Sequence, residues 1–554
     1  MYYMSNANIA YLMIGFFIFS GLRTSAQSIN WYQEERSTDK PYSISTDLAY
    51  EELLSSKKGK KVIVAVIDSG IDIEHEDLKH VIWVNEDEIP GNGIDDDNNG
   101  YIDDINGWNF IGGPDGSHVD GDTYEMTRLY AQYRDRFKDV DPSTLSAKDR
   151  ALYTTYEEYG DRITKEAENA ENQYNEYKRE ADFREVIIDH IGAIRETREI
   201  STDVIDSLST SINQKDVVAA NIFNMFSEEL GHYPSSEELQ QQLIDPMDEI
   251  LKHFGDKFMY NWNPDFDSRS IVGDNYEDKK ERYYGNNSVE GPDAMHGTHV
   301  AGIIAASRDN ELGLNGIASN TQIMVLRAVP NGDERDKDVA NSIRYAVENG
   351  AEIINMSFGK GQSPYKEIVD DAIRYAEKKD VLIIHAAGNS GFNVDIEENY
   401  PNDYYKKPKG FLFFKKKQPK NYLTIGASGP SSGEQLAADF SNYGPKDVDV
   451  FAPGVMMLST VPDDRYEMSQ GTSMAAPVVS GVAALVRSYF PALTAKQVKE
   501  VIMTSTKKDD RLVIKPGSSA TKVPFSSLSV AGGVIDVKAV LQAASQVKGK
   551  KKVS

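Results

Sequence analysis

The chain has 554 residues, enough for two or three domains or for one large domain with insertions. A formal net charge of −27 and a pI near 4.8 argue against nucleic acid as a partner and against adhesion to anionic lipid. Mean hydropathy of −0.50 excludes a multi-span membrane protein, and the absence of cysteine excludes disulfides, thiolate metal sites and a cysteine nucleophile.

At the N-terminus, 9-IAYLMIGFFIFSGL-22 is a short apolar run followed by the small-residue stretch 24-TSA-26. This reads as an export signal over 1–26, cleaved after Ala26. The alternative, a membrane anchor, needs about 20 apolar residues, more than the run supplies. The mature chain is therefore expected in the periplasm or outside the cell, with no stable membrane insertion. Residues 27–118 mix short apolar runs with turn residues, and 62-VIVAVID-68 is the first buried strand.

The loop 91-GNGIDDDNNGYIDDINGWNF-110 follows that strand. Like charges this dense repel one another unless a cation or open solvent separates them. Asp95, Asp97 and Asn99 alternate, Gly100 follows and Asp103 closes D-x-D-x-N-G-x-x-D. That is the opening of an EF-hand-type calcium loop, with Tyr101 supplying its backbone carbonyl. Asn106 stands where the bidentate Glu belongs, so that ligand is Asp104 or is missing. The competing reading is a solvated acidic turn.

Residues 119–290 are charged, Tyr-rich and Glu-rich. Strong helix formers predict helices over 144–197, 215–230 and 236–254. From 291 to 545, buried strands are expected at 323–329, 353–359, 381–389 and 422–428, with helices at 337–350 and 364–380 between them. That rhythm predicts an α/β architecture, a doubly wound parallel sheet interrupted by a large, mainly helical insertion. Functional groups are then expected at the C-terminal strand ends. The basic tail 546–554 is expected to be disordered.

Three stretches each offer one member of an acid–base–nucleophile set: Asp68 in 64-VAVIDSGID-72, His296 in 293-DAMHGTHVAGIIAAS-307 and Ser473 in 468-MSQGTSMAAPVVSGVAAL-485. A serine hydroxyl needs a histidine to take its proton, and the histidine needs an acid to orient it. Asn389 in 386-AAGNSG-391 and the Ser473 N–H are candidate oxyanion donors. Pro477 is expected near the first turn of a helix that starts at the nucleophile, where a missing N–H is tolerated.

These motifs resemble those of the subtilisin-like serine proteases, in the same chain order of Asp, His and Ser. The resemblance covers roughly 60–72, 291–485 and 532–541. It implies a secreted endopeptidase acting on polypeptides through Asp68, His296 and Ser473, with Asn389 at the oxyanion. It makes His296 the base and His299 structural. It also implies that Ser357, Phe358 and Gly359 pair with an extended peptide, and that Ala386, Ala387 and Gly388 line the pocket before the scissile bond. A scaffold that has lost catalysis is the rival reading, although no triad member is lost. Two departures stand out. Asp68 and His296 are 228 positions apart, against a few tens in compact members. The stretch between Ala26 and Asp68 is shorter than that family's usual folding prodomain.

Overall fold

The computed structural model describes residues 30–40, 42–308, 310–409 and 416–550. The expected export signal and the last residues of the basic tail lie outside them. Lys548 is described, and its carbonyl accepts a hydrogen bond from Gln497 Nε2 at 2.9 Å. No helix among the described residues is long and apolar enough to cross a membrane.

The chain forms two compact units. The first comprises residues up to Phe110, Gly285–Ala328 and Asp336 onward. Its centre is a parallel seven-stranded sheet: β1 (Val62–Asp68), β2 (Gly107–Asn109), β3 (Thr321–Arg327), β4 (Ile353–Met356), β5 (Leu382–Ala386), β6 (Tyr422–Ser428) and β7 (Val450–Pro453). The order is β2-β3-β1-β4-β5-β6-β7. Every strand read from the sequence is present. The three-residue β2 and four-residue β7 are too short to show periodicity, and pairing with β3 and β6 makes them strands.

The strands are continuous apolar runs because both faces of the sheet are covered. Val62, Val64 and Val66 share one core with the helices Met295–Ala305 and Thr472–Tyr489. The alternate residues Ala65 and Ile67 are fully buried on the opposite face. The helices Asp336–Glu348 and Lys366–Lys378 pack together and against the sheet. An antiparallel hairpin, β8 (Met457–Val461) and β9 (Arg465–Ser469), precedes the helix Thr472–Tyr489.

The second unit comprises Ile111–Tyr284 and Val329–Arg335. Residues 285–290, read from sequence as part of the insertion, belong to the first unit, and 329–335 join the second. Its longest element is the 51-residue helix Ala147–Thr197, about 75 Å long at 1.5 Å per residue. Ser146 caps it by accepting from the Asp149 N–H. The single helix expected over 236–254 is two, Ser236–Leu243 and Asp245–Asp256. Pro246 causes the break: it lacks an N–H and is accommodated only at the start of the second helix.

A buried charge network ties this unit together. Arg335 binds Asp122 bidentately, Nε to Oδ2 at 2.8 Å and Nη2 to Oδ1 at 3.0 Å, and Ser268 Oγ donates to Asp122 Oδ2 at 2.7 Å. Arg128 lies 3.7 Å from the same carboxylate. Burial alone would raise the Asp122 carboxyl, but the two arginines and the bonds from Arg335 and Ser268 hold it far below the usual range. A depressed folded-state pKa gives stability that is full above about pH 4 and is lost as pH falls below it. Asp122→Asn should cost this unit about 3 kcal/mol at neutral pH, because Arg335 loses its bidentate buried partner and Arg128 a second carboxylate, while Asp267 and Glu125 remain to them. Urea unfolding at pH 7 and at pH 3 checks this, and the variant's deficit should shrink at the lower pH.

Candidate active site

The parallel register brings three segments to one edge. Ile67 pairs with Met356 and Met356 with His385, so Asp68, Ser357 and Ala386 emerge side by side at the ends of β1, β4 and β5. Asp68 is 2% exposed, and its Oδ1 accepts from the Ser69 N–H at 2.8 Å and from His296 Nδ1 at 2.6 Å. This contact requires close approach of backbone. A Cβ on Gly297 would stand 2.0 Å from the Gly70 carbonyl, and one on Gly70 would stand 1.8 Å from the Glu290 carbonyl. With Nδ1–H directed at Asp68, Nε2 is the unprotonated nitrogen of the neutral ring. Burial lowers the imidazole pKa, but the Asp68 charge and hydrogen bond, with Asp293 nearby, outweigh it and raise the value above 6.5.

Ser473 lies in the first turn of Thr472–Tyr489. Its N–H is one of the donors that a helix start leaves free. Its hydroxyl donates to the Ser357 carbonyl at 2.9 Å, not to His296. Asn389 Oδ1 accepts from Thr472 N and Thr472 Oγ1 at 2.8 and 2.9 Å. That fixes the amide and leaves its NH₂ facing outward, 3.2 Å from where a Cβ on Gly471 would stand. Pro477 is not in the first turn as expected. It lies five residues beyond Thr472, so the carbonyl it leaves without a helical partner is that of Ser473.

The Subtilase family profile matches residues 59–519, well over half of the chain. The chain belongs to that family. Among its relatives are a thermophilic serine proteinase of Bacillus sp. strain AK1, the major intracellular serine protease of Bacillus subtilis strain 168 and subtilisin DY of Bacillus licheniformis. The first is 37% identical over 227 residues, 41% of this chain and 49% of the relative. The second is 36% identical over 229 residues, 41% of this chain and 65% of the relative. The third is 35% identical over 207 residues, 37% and 67% respectively. The match thus spans about half to two thirds of each of these relatives' length.

In this subtilase the two expected peptide-binding segments are held from behind by side chains the sequence did not single out. His385 is buried, and its Nε2 donates to the Phe358 carbonyl at 2.7 Å. Burial pushes its imidazole down to about 4, so it is neutral at pH 7. Asn442 and Asn399 donate to the Ala387 carbonyl at 2.8 and 3.1 Å. His385, Ala387 and Asn399 also line a cavity of about 500 Å³ with Tyr400, Asp403 and Thr424, and none of Asp68, His296 or Ser473 borders it. Ser357 and Ala386 are buried, while Gly359 is exposed. His299 donates through Nε2 to the carbonyls of Met457 and Glu467, binding the His296 helix to the β8–β9 hairpin.

The acidic loop departs from its expected ligand set. Carboxylate oxygens of Asp95, Asp97 and Glu88 lie within 4.8 Å of one another. Glu88, from before the loop, also accepts from the Asp96 and Asp97 N–H groups. Asp103 turns away, accepting from the N–H groups of Asn92 and Gly93. Asn99 Oδ1 accepts from Tyr101 N at 2.8 Å. Asp104 does not fill the missing position. It is fully buried and accepts from Asn85, Asn99 and the Tyr345 hydroxyl. Burial pushes its carboxyl up to about 6 against those three bonds.

The Asp68 charge generates a measurable shift. His296 should titrate above 6.5 in the wild type and at a lower pH in Asp68→Asn, followed by NMR of the imidazole protons. Equal midpoints in the two proteins would contradict the electrostatic account.

Proposed function

We propose that the chain is an exported serine endopeptidase that hydrolyses polypeptides. Ser473 Oγ leaves the Ser357 carbonyl, turns toward His296 and attacks the scissile carbonyl carbon. His296 Nε2 takes the hydroxyl proton and returns it to the leaving amine as the C–N bond breaks. Water then repeats the sequence on the acyl-enzyme. Asp68 holds the imidazole and stabilises its charged form. The amide of Asn389 and the N–H of Ser473 receive the oxyanion. The observation that carries this reading is the 2.6 Å bond from His296 Nδ1 to Asp68, at the strand edge where the Ser357 carbonyl holds the Ser473 hydroxyl.

Residues 357–359 and 386–388 are read as the walls that take an extended peptide by backbone pairing. Ser473→Ala should abolish peptide hydrolysis while leaving the far-UV circular dichroism spectrum unchanged. Asn389→Ala should lower kcat by ~10²–10³ with little change in KM, the size of effect known for losing one such donor in subtilisin. Equal turnover by wild type and Ser473→Ala would leave a binding scaffold as the remaining reading.

Glu88, Asp95 and Asp97 are proposed to hold a calcium ion with the amide oxygen of Asn99 and the carbonyl of Tyr101, and with Asp103 if its side chain turns inward. The donors are all hard oxygens from a flexible loop, which suits calcium's high coordination number over magnesium's strict octahedron. Such an ion would staple a region that has no disulfide. Removing calcium with EGTA should lower Tm, and calcium should restore it better than magnesium. Asp97→Ala should make Tm insensitive to calcium. A wild type without any calcium response would leave the loop as a solvated turn.

A further inference from the structure

The proline that follows Ser473 in its helix has a structural consequence. Residue 477 would normally donate its N–H to the Ser473 carbonyl, and Pro477 has none. The orphaned carbonyl accepts instead from Ser357 Oγ at 2.8 Å. Ser357 Oγ in turn accepts from Asn355 Nδ2 at 3.0 Å, and Asn355 Oδ1 accepts from Ser480 Oγ at 2.8 Å. Asn355 and Ser480 are fully buried, and Ser357 is 2% exposed. The chain of bonds leaves the helix at Ser480, crosses the end of β4 and returns to the helix at Ser473.

We infer that Ser357 and Asn355 are positioning residues for Ser473. They hold its backbone through the carbonyl that Pro477 releases from the helix ladder. This rests on the reading of Ser473 as the nucleophile. Each donor in the chain has one acceptor, so the direction of every bond is set: the Asn355 amide can present its NH₂ to Ser357 only while its oxygen faces Ser480. Ser357 then grips Ser473 twice, donating to its carbonyl and accepting from its hydroxyl at 2.9 Å. A helix N–H at position 477 would satisfy the same carbonyl and hold the same turn, and here the Ser357 hydroxyl takes its place. The substituted bond fixes Ser473 relative to β4, whose end adjoins Asp68. Small displacements of a reacting group cost about 10²-fold in rate, which gives this anchoring its weight.

The test uses the full chain, a chromogenic peptide and a fluorophosphonate probe. Wild-type labelling at Ser473 establishes the nucleophile independently. Ser357→Ala should then lower kcat and the labelling rate about 10- to 100-fold with KM unchanged. Pro477→Ala alone should change kcat less than about threefold, because a carbonyl can accept two donors. The double variant Ser357→Ala/Pro477→Ala should recover to within about threefold of Pro477→Ala, since the helix N–H now reaches the Ser473 carbonyl. A general packing defect would not be rescued in this way. Wild-type kcat in Ser357→Ala, or a loss that Pro477→Ala fails to restore, overturns the inference while leaving the labelled nucleophile in place. A wild type that does not label overturns both readings. Should Ser357→Ala alone not fold, the double variant is compared with Pro477→Ala, and a kcat gap above tenfold overturns the inference.

Discussion

Parallel pairing of β1 with β4 and of β4 with β5 is the constraint on which the candidate site rests. The register makes all three strands stop at one level, so Asp68, Ser357 and Ala386 leave the sheet together. A slip of one residue in any pair would turn Asp68 or Ser357 to the opposite face. The sheet can hold that register because both of its faces are covered, one by the helices carrying His296 and Ser473 and their shared core. With both faces buried, a slip is resisted by packing, since each side chain is fitted to the helix it faces.

Close approach is the second requirement. Residues 70, 297 and 471 lie where the backbone or Asn389 comes within the space of a Cβ. They let the His296 helix and the Ser473 helix start against the strand ends instead of a side chain's width away. Helix starts also leave N–H groups unspent, and one of these, on Thr472, orients Asn389 while the next, on Ser473, stays available. The same geometry therefore aims the Ser473 hydroxyl and the N–H donors beside it.

Carboxylates are held both by backbone N–H groups and by buried cations. In the first unit, carboxylates at the sheet edge and in the acidic loop accept backbone N–H groups. Asp68 and Glu88 both do so. In the second, Asp122 is neutralised by arginines from Val329–Arg335 and from the helix Glu125–Phe137. Segments distant in sequence are joined there by one buried carboxylate, which makes the unit depend on an ion pair as well as on apolar packing.

The residue types at the candidate site, the strands that carry them and the long helix over 147–197 were legible in the chain because each depends on local order. Motif spacing, continuous apolar runs and helix propensity are properties of neighbouring residues. Pairing beyond those neighbours was not legible. Glu88 joins Asp95 and Asp97 where spacing suggested Asp103 or Asp104, because the loop folds back on itself and Asp104 is taken by Tyr345, 241 positions away. His385 and Asn355 look like polar interruptions in buried strands until the Phe358 carbonyl and the Ser357 hydroxyl are placed beside them. Pro477 looks like a tolerated first-turn residue until the helix start at Thr472 shows which carbonyl it orphans. The sequence by itself determined which groups exist and on which elements they sit. Only the tertiary structure decided which donor meets which acceptor, because a hydrogen bond depends on distance in space, and sequence separation does not set that distance.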